Sequence, residues 1–245
     1  MIIYCEGIKE LYIDSLTLDK LKICNESQFI AVKAPNIRCL DVAVDGSRYE
    51  VSNLSSLDEA RICLGGYEYE PWKLELIRRV SKVQTLWLSQ STVELFGHVS
   101  ENELPMFPNL THLEIEIENI MFQMLKLAPK LTHLIVDVCH LLDDDALSFP
   151  SEIVPLCISS IQYIENQRFY CLEEDTKLVM YILKNAMLLK ELKLHMHHHC
   201  VSLKRERDAF KKLLSFPRVS FCEVIICSSC EWETLPLHFP AISPQ

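Results

Sequence analysis

Two groups of side chains in this 245-residue chain have types and spacings that could do chemistry. The first is His195-Met196-His197-His198-His199-Cys200, taken with Cys227-Ser228-Ser229-Cys230. Two thiolates and one or two imidazoles suffice for a tetrahedral zinc, and the candidate ligands are His197, Cys200, Cys227 and Cys230. They can meet only if the two stretches end adjacent strands offset by 30 residues, which sets His197 beside Cys227 and Cys200 beside Cys230. A single C-x-x-C is a common string and strand ends diverge. A solvated histidine loop with half-buried cysteines is therefore the reading preferred to metal, and no cofactor is expected.

The second group is His112-Leu113-Glu114-Ile115-Glu116 and His133-Leu134-Ile135-Val136-Asp137. Imidazoles with nearby carboxylates are the ordinary parts of general acid–base catalysis. Both histidines, however, stand at the same position of a repeated unit, and no nucleophile with an ordered base and orienting group accompanies them.

That repeated unit organises the chain. The template apolar-x-x-apolar-x-apolar recurs at Ile8/Leu11/Ile13, Leu18/Leu21/Ile23, Ile37/Leu40/Val42, Leu57/Ala60/Ile62, Val83/Leu86/Leu88 and Leu110/Leu113/Ile115. It continues at Leu131/Leu134/Val136, Ile158/Ile161/Tyr163, Leu189/Leu192/Leu194 and Val219/Cys222/Val224. Successive units start 10, 19, 20, 26, 27, 21, 27, 31 and 30 residues apart, mostly at or near a leucine-rich period. The last two apolar residues of each unit lie two apart, so they share one face of a short strand. Such strands bury that face only by stacking in parallel. The reading is an α/β leucine-rich-repeat solenoid of about ten strand units, with helices expected over Pro71–Val80, Glu118–Leu127, Glu173–Ala186 and Leu203–Leu214. The first step of 10 residues is too short for strand plus helix, so that region should be rich in strand and poor in helix.

Composition narrows the function. Five glycines and no G-x-G-x-x-G or Walker-type string argue against nucleotide chemistry, and a net charge of −10 argues against nucleic acid. Eleven cysteines scattered in apolar strings read as small buried hydrophobes of a reducing compartment, cytoplasmic or nuclear. No signal peptide or membrane span is read. Residues 83–145 carry ten acids against Lys126 and Lys130 alone.

The units Ala34-Pro35-Asn36-Ile37, Phe107-Pro108-Asn109-Leu110 and Ala128-Pro129-Lys130-Leu131 resemble the repeats of the plant F-box/FBD/LRR-repeat proteins. Val154-Pro155-Leu156-Cys157, Tyr181-Ile182-Leu183-Lys184-Asn185-Ala186 and Leu214-Ser215-Phe216-Pro217 are similar in order and spacing to the FBD module. The resemblance implies leucine-rich repeats over 1–148, FBD-like capping repeats over 149–230 and a tail over 231–245. It implies a substrate-recognition role in an SCF ubiquitin ligase, whose Skp-type adaptor docks an N-terminal F-box of roughly 40–50 residues. The first repeat begins by Ile8, so the expectation is a chain without that F-box, its adaptor engaged only if one lies upstream.

The resulting expectation is a non-enzymatic module that captures a protein. Strand residues alternating with the buried pair point outward on the concave face: Thr85, Trp87 and Ser89, then His112, Glu114 and Glu116, then His133, Ile135 and Asp137. Trp87, His112, Glu114, Glu116, His133 and Asp137 are the candidate partner-binding residues, and the acidic excess there calls for a partner with a cationic surface. The alternative is a metal-binding or catalytic protein that uses the His195–Cys200 and Cys227–Cys230 cluster.

Overall fold

The computed structural model describes residues 1–5, 9–25, 29–44, 48–52, 54–65, 69–116, 121–137, 158–197 and 203–227. Two compact units emerge, Met1–Ile115 with Leu127–Lys130, and Glu116–Lys126 with Leu131–Gln245.

In the first unit, β1 (Ile2–Cys5), β3 (Lys20–Asn25), β5 (Cys39–Val44), β7 (Glu59–Leu64), β8 (Thr85–Leu88) and β9 (His112–Ile115) form one parallel sheet in that order. The strands between them, β2 (Glu10–Asp14), β4 (Phe29–Lys33) and β6 (Arg48–Ser52), form a second parallel sheet. Helix α1 (Pro71–Val80) then packs against β6, and the short α2 (Gln90–Glu94) follows β8. Pro71 sits in the first turn of α1, where its missing N–H costs nothing. Leu21/Ile23, Leu40/Val42, Ala60/Ile62, Leu86/Leu88 and Leu113/Ile115 are all buried, as are Ile30, Val32, Tyr49 and Val51 of the second sheet. Burying each large member of these pairs is worth about 1.5–3 kcal/mol, so the stacked strands hold one another.

The second unit contains α3 (Met121–Leu127) and the parallel strands β10 (His133–Val136), β11 (Tyr163–Phe169), β12 (Glu191–Met196) and β13 (Glu223–Cys227). Helices α4 (Glu173–Asn185) and α5 (Leu203–Ser215) return the chain between them. The buried Asp175 in the first turn of α4 accepts the backbone N–H groups of Tyr170 (2.9 Å) and Leu172 (3.1 Å), satisfying donors that the turn leaves open. Cys171 between them has φ 57, a left-handed conformation that this carboxylate holds in place.

One backbone device fixes the spacing of the stack. The carbonyl of Asp19 accepts the N–H groups of both Arg38 and Cys39, that of Arg38 those of Asp58 and Glu59, and that of Asp58 those of Gln84 and Thr85. Thr132, Gln162 and Lys190 act likewise in the second unit, with Lys190 accepting from Glu223. Just before each such point lies a tight turn closed by an i to i+3 hydrogen bond, as from Ile37 to Ala34, Val83 to Val80 and Leu110 to Phe107.

The ten parallel strands and the expected helices are present, with four differences in detail. Ile8/Leu11/Ile13 does not open the parallel sheet; its described residues belong to β2 of the second sheet, and β1, β4 and β6 carry no full template. The eighth unit is displaced by three residues: Leu134 pairs with Ile164, so the buried pair is Ile164 and Asn166 and Tyr163 turns outward. Asn166 hid the pattern, a polar residue at an inward position whose side-chain oxygen accepts the N–H of Arg168 at 3.0 Å. The last unit is displaced by two, with Leu192 opposite Val224 and Leu194 opposite Ile226. A slip of two leaves every side chain on its own face, so periodicity alone cannot detect it. Finally, Ser89 is buried rather than outward, because it caps α2 and its hydroxyl accepts the Thr92 N–H.

Candidate functional site

On the outward face of the first unit, one register row runs Lys22, Asp41, Arg61, Trp87, Glu114 across five neighbouring strands. Lys22 Nζ meets the Asp41 carboxylate at 2.8 Å. The Arg61 guanidinium lies 5.0 Å from the centre of the Trp87 ring, close enough for a cation–π attraction. Trp87 is half-buried, beside its register partner Arg61 on the adjacent β7. His112 is exposed and its Nδ1 lies 2.9 Å from the Thr111 hydroxyl, while Glu114 is half-buried at the end of this face; Glu116, also half-buried, falls in the second unit.

A second concave feature of this unit lies on the other layer. A cavity of about 870 Å³ is lined by Tyr12, Ala31, Lys33 and Glu50 of the second sheet and by Trp72 and Arg79 of α1. Trp72 stacks on the buried Tyr49 at 6.1 Å, and burial pushes the Tyr49 hydroxyl far above the ordinary phenol range.

In the second unit the outward face is a set of ion pairs and ring contacts. His133 stacks on Tyr163 with ring centres 4.4 Å apart, and Lys190 Nζ lies 5.7 Å from the centre of that same tyrosine ring. Asp137 forms a salt bridge with Arg168. Glu165 accepts from His195 Nε2 at 2.8 Å and has Lys193 at 3.9 Å. His112 and His133 thus fall in different units, each with its own neighbours. The Glu165–His195 pair and the Asp137–Arg168 bridge are not legible in the sequence, since the template Ile158/Ile161/Tyr163 sets Tyr163 on the inward face.

The zinc geometry is altered by the last register. His195, not His197, stands beside Cys227. His197 instead donates its backbone N–H to the Phe169 carbonyl, and its ring packs 4.4 Å from Tyr170. Cys200 and Cys230 lie outside the described residues. Among the described residues no three His, Cys, Asp or Glu side chains converge as metal ligands.

Residues 150–194 match the FBD family model. An F-box/FBD/LRR-repeat protein of Arabidopsis thaliana is 30% identical over 221 residues, covering 80% of this chain and 49% of that protein. The chain is related to the plant F-box/FBD/LRR-repeat proteins. A second such Arabidopsis protein is 29% identical over 230 residues, covering 85% of this chain and 49% of its own length. An FBD-associated F-box protein of the same plant is 30% identical over 157 residues, covering 60% and 33% respectively. The chain therefore spans about half the length of the F-box/FBD/LRR-repeat relatives it matches. No solved structure matches. No described helix is long and apolar enough to cross a membrane.

Proposed function

We propose that this chain is a non-enzymatic protein-capture module that binds its partner on the outward faces of the parallel strands. Trp87 carries the reading. It is a large aromatic on an outward strand position, braced by Arg61 at 5.0 Å and followed in the same row by Glu114. A rigid, partly desolvated indole flanked by both charge signs is the composition of an interface hot spot. Glu114 and Glu116 favour a partner with a cationic surface, bound less tightly as salt rises. His112 is the polar rim of the same face, and His133 and Asp137 play that part in the second unit, where Tyr163 and Arg168 orient them.

By analogy with its relatives, the module presents a substrate for ubiquitination, with a Skp-type adaptor engaged only where an F-box is joined to it. The proposed division is repeats over 1–148, FBD-like repeats over 149–230 and a tail beyond.

The test is affinity capture from plant extract with wild-type chain, followed by the purified partner and the Trp87→Ala/Glu114→Gln double variant. Loss of at least tenfold in affinity supports the reading. Unchanged affinity sinks the outward-face assignment.

A further inference from the structure

Six turns closed by the i to i+3 bond carry the dipeptides Pro35-Asn36, Ser55-Ser56, Ser81-Lys82, Pro108-Asn109, Ser159-Ser160 and Met187-Leu188. In the first five the second residue is polar, and three of these reach back to the turn before. The Asn36 side-chain amide donates to the Leu16 carbonyl (2.6 Å), that of Asn109 to Lys82 (3.3 Å), and the Ser160 hydroxyl to Leu131 (3.2 Å). Leu188 can make no such bond, and it is 58% exposed beside Met187 at 67%.

The following turn departs in the same direction. The register of β12 with β13 sets Phe221 at the position of Leu189, yet Leu189 is buried and Phe221 is 71% exposed. Val219, at the position of Met187, is 53% exposed, and its N–H donates to the Leu183 carbonyl, tying this turn to the end of α4. Ser220 stands level with Leu188, and its hydroxyl oxygen is buried without a hydrogen-bond partner. Four large apolar side chains thus stand in two successive turns of the second unit, where the preceding turn carries Ser159-Ser160. A break from a repeated pattern, at a cost in solvation and with an unmet donor, is where function is to be sought.

Charge selects the occupant. Exposed Lys184 precedes Met187 and Leu188, and Arg218, whose guanidinium donates to the Cys222 carbonyl at 3.3 Å, flanks Val219. The carboxylates that follow, Glu191 and Glu223, begin strands and belong to the outward sheet face. We infer that Met187, Leu188, Val219 and Phe221 form a docking edge for an acidic protein segment with apolar anchors, separate from the strand-face surface proposed above. The segment's apolar side chains cover the two turns, and its carboxylates meet Lys184 and Arg218.

Two fluorescent 15-residue probes test this on the full chain, identical in their leucine and phenylalanine anchors but flanked by aspartates in one and lysines in the other. The aspartate probe should bind, more weakly at high salt, and lose at least tenfold with Leu188→Asn, Phe221→Ser or Arg218→Glu. The lysine probe should bind at least tenfold more weakly than its partner. Leu188→Asn should keep or raise the melting temperature, so its loss of binding reports the edge and not the fold. Equal binding of both probes, binding of neither, or an unchanged affinity for Leu188→Asn overturns the inference. So does a wild-type dimer that Leu188→Asn converts to monomer, which assigns the edge to a second copy.

Discussion

The Arg61 guanidinium stands 5.0 Å from the ring centre of Trp87, its register partner on the adjacent strand. The contact ties the only outward tryptophan among the described strands to a residue that the fold places rigidly. Removing the cation should therefore loosen the ring without disturbing the buried layer, since Ala60 and Ile62 on either side of Arg61 point the other way. Arg61→Ala should cost about 0.5–1 kcal/mol of stability in a denaturant titration, the usual worth of a cation–π pair. Arg61→Lys should recover most of it. If the Trp87 fluorescence and the unfolding midpoint are both unmoved in Arg61→Ala, the pair does not order the face.

Thr92 shows how a buried hydroxyl can terminate a strand. Its Oγ1 accepts the Leu64 N–H at 2.8 Å and donates to the Ile62 carbonyl at 3.2 Å, both at the end of β7. Thr92→Val keeps the shape but strands the Leu64 N–H inside the protein and leaves the Ile62 carbonyl with the Ser89 N–H alone. The expected loss is about 1–3 kcal/mol, read as a lower urea midpoint with unchanged slope. Thr92→Ser should be much milder.

The parallel strands were legible because their inward residues repeat with period two, and Leu86/Leu88 or Leu113/Ile115 leave no other face to bury. Helix α1 was legible to the residue because Pro71 marks its start. The second sheet was not, because Phe29-Ile30-Ala31-Val32 and Tyr49-Glu50-Val51 alternate without the leading apolar turn residue of the template. The candidate site was read less completely. Trp87 and its face followed from alternation alone, but the partners of Asp137 and His195 lie on β11, whose register Asn166 conceals, and the placing of His195 beside Cys227 depended on the two-residue slip of β13.

Cys39 provides a chemical check on the outward face. Burial and the neighbouring Glu59 carboxylate, its register partner on β7, push this thiol above its ordinary range, with Lys20 opposing weakly. A raised pKa means less thiolate at any given pH below it, so alkylation of Cys39 by iodoacetamide at pH 8 should be slow and still rising above pH 9. Glu59→Gln removes one cause and should speed labelling at pH 8, measured by peptide mass mapping. No change would place the two side chains apart in solution.

The α4 turn depends on one carboxylate. Asp175 is buried and accepts N–H groups from Tyr170 and Leu172, on either side of the left-handed Cys171. Asp175→Ala should cost about 1–3 kcal/mol, because two half-buried donors lose their carboxylate acceptor. Thermal unfolding of the full chain reads this directly. A loss below 0.5 kcal/mol, on the order of an exposed surface substitution, would show that water replaces the carboxylate.

The turn ladder allows a reciprocal experiment. Asn109 donates to Lys82 across successive turns, so Asn109→Ala removes a bond that joins neighbouring repeats and should cost about 0.5–1.5 kcal/mol. Leu188 occupies the matching place but exposes 58% of its surface and makes no such bond. Replacing it with asparagine gives up little burial and offers a donor toward the preceding turn, so stability should hold or rise by up to about 1 kcal/mol. Opposite signs for two substitutions at equivalent positions would show that Leu188 is kept against the interest of the fold. A clear loss in Leu188→Asn would instead show that its side chain packs, and that the apolar turn serves stability.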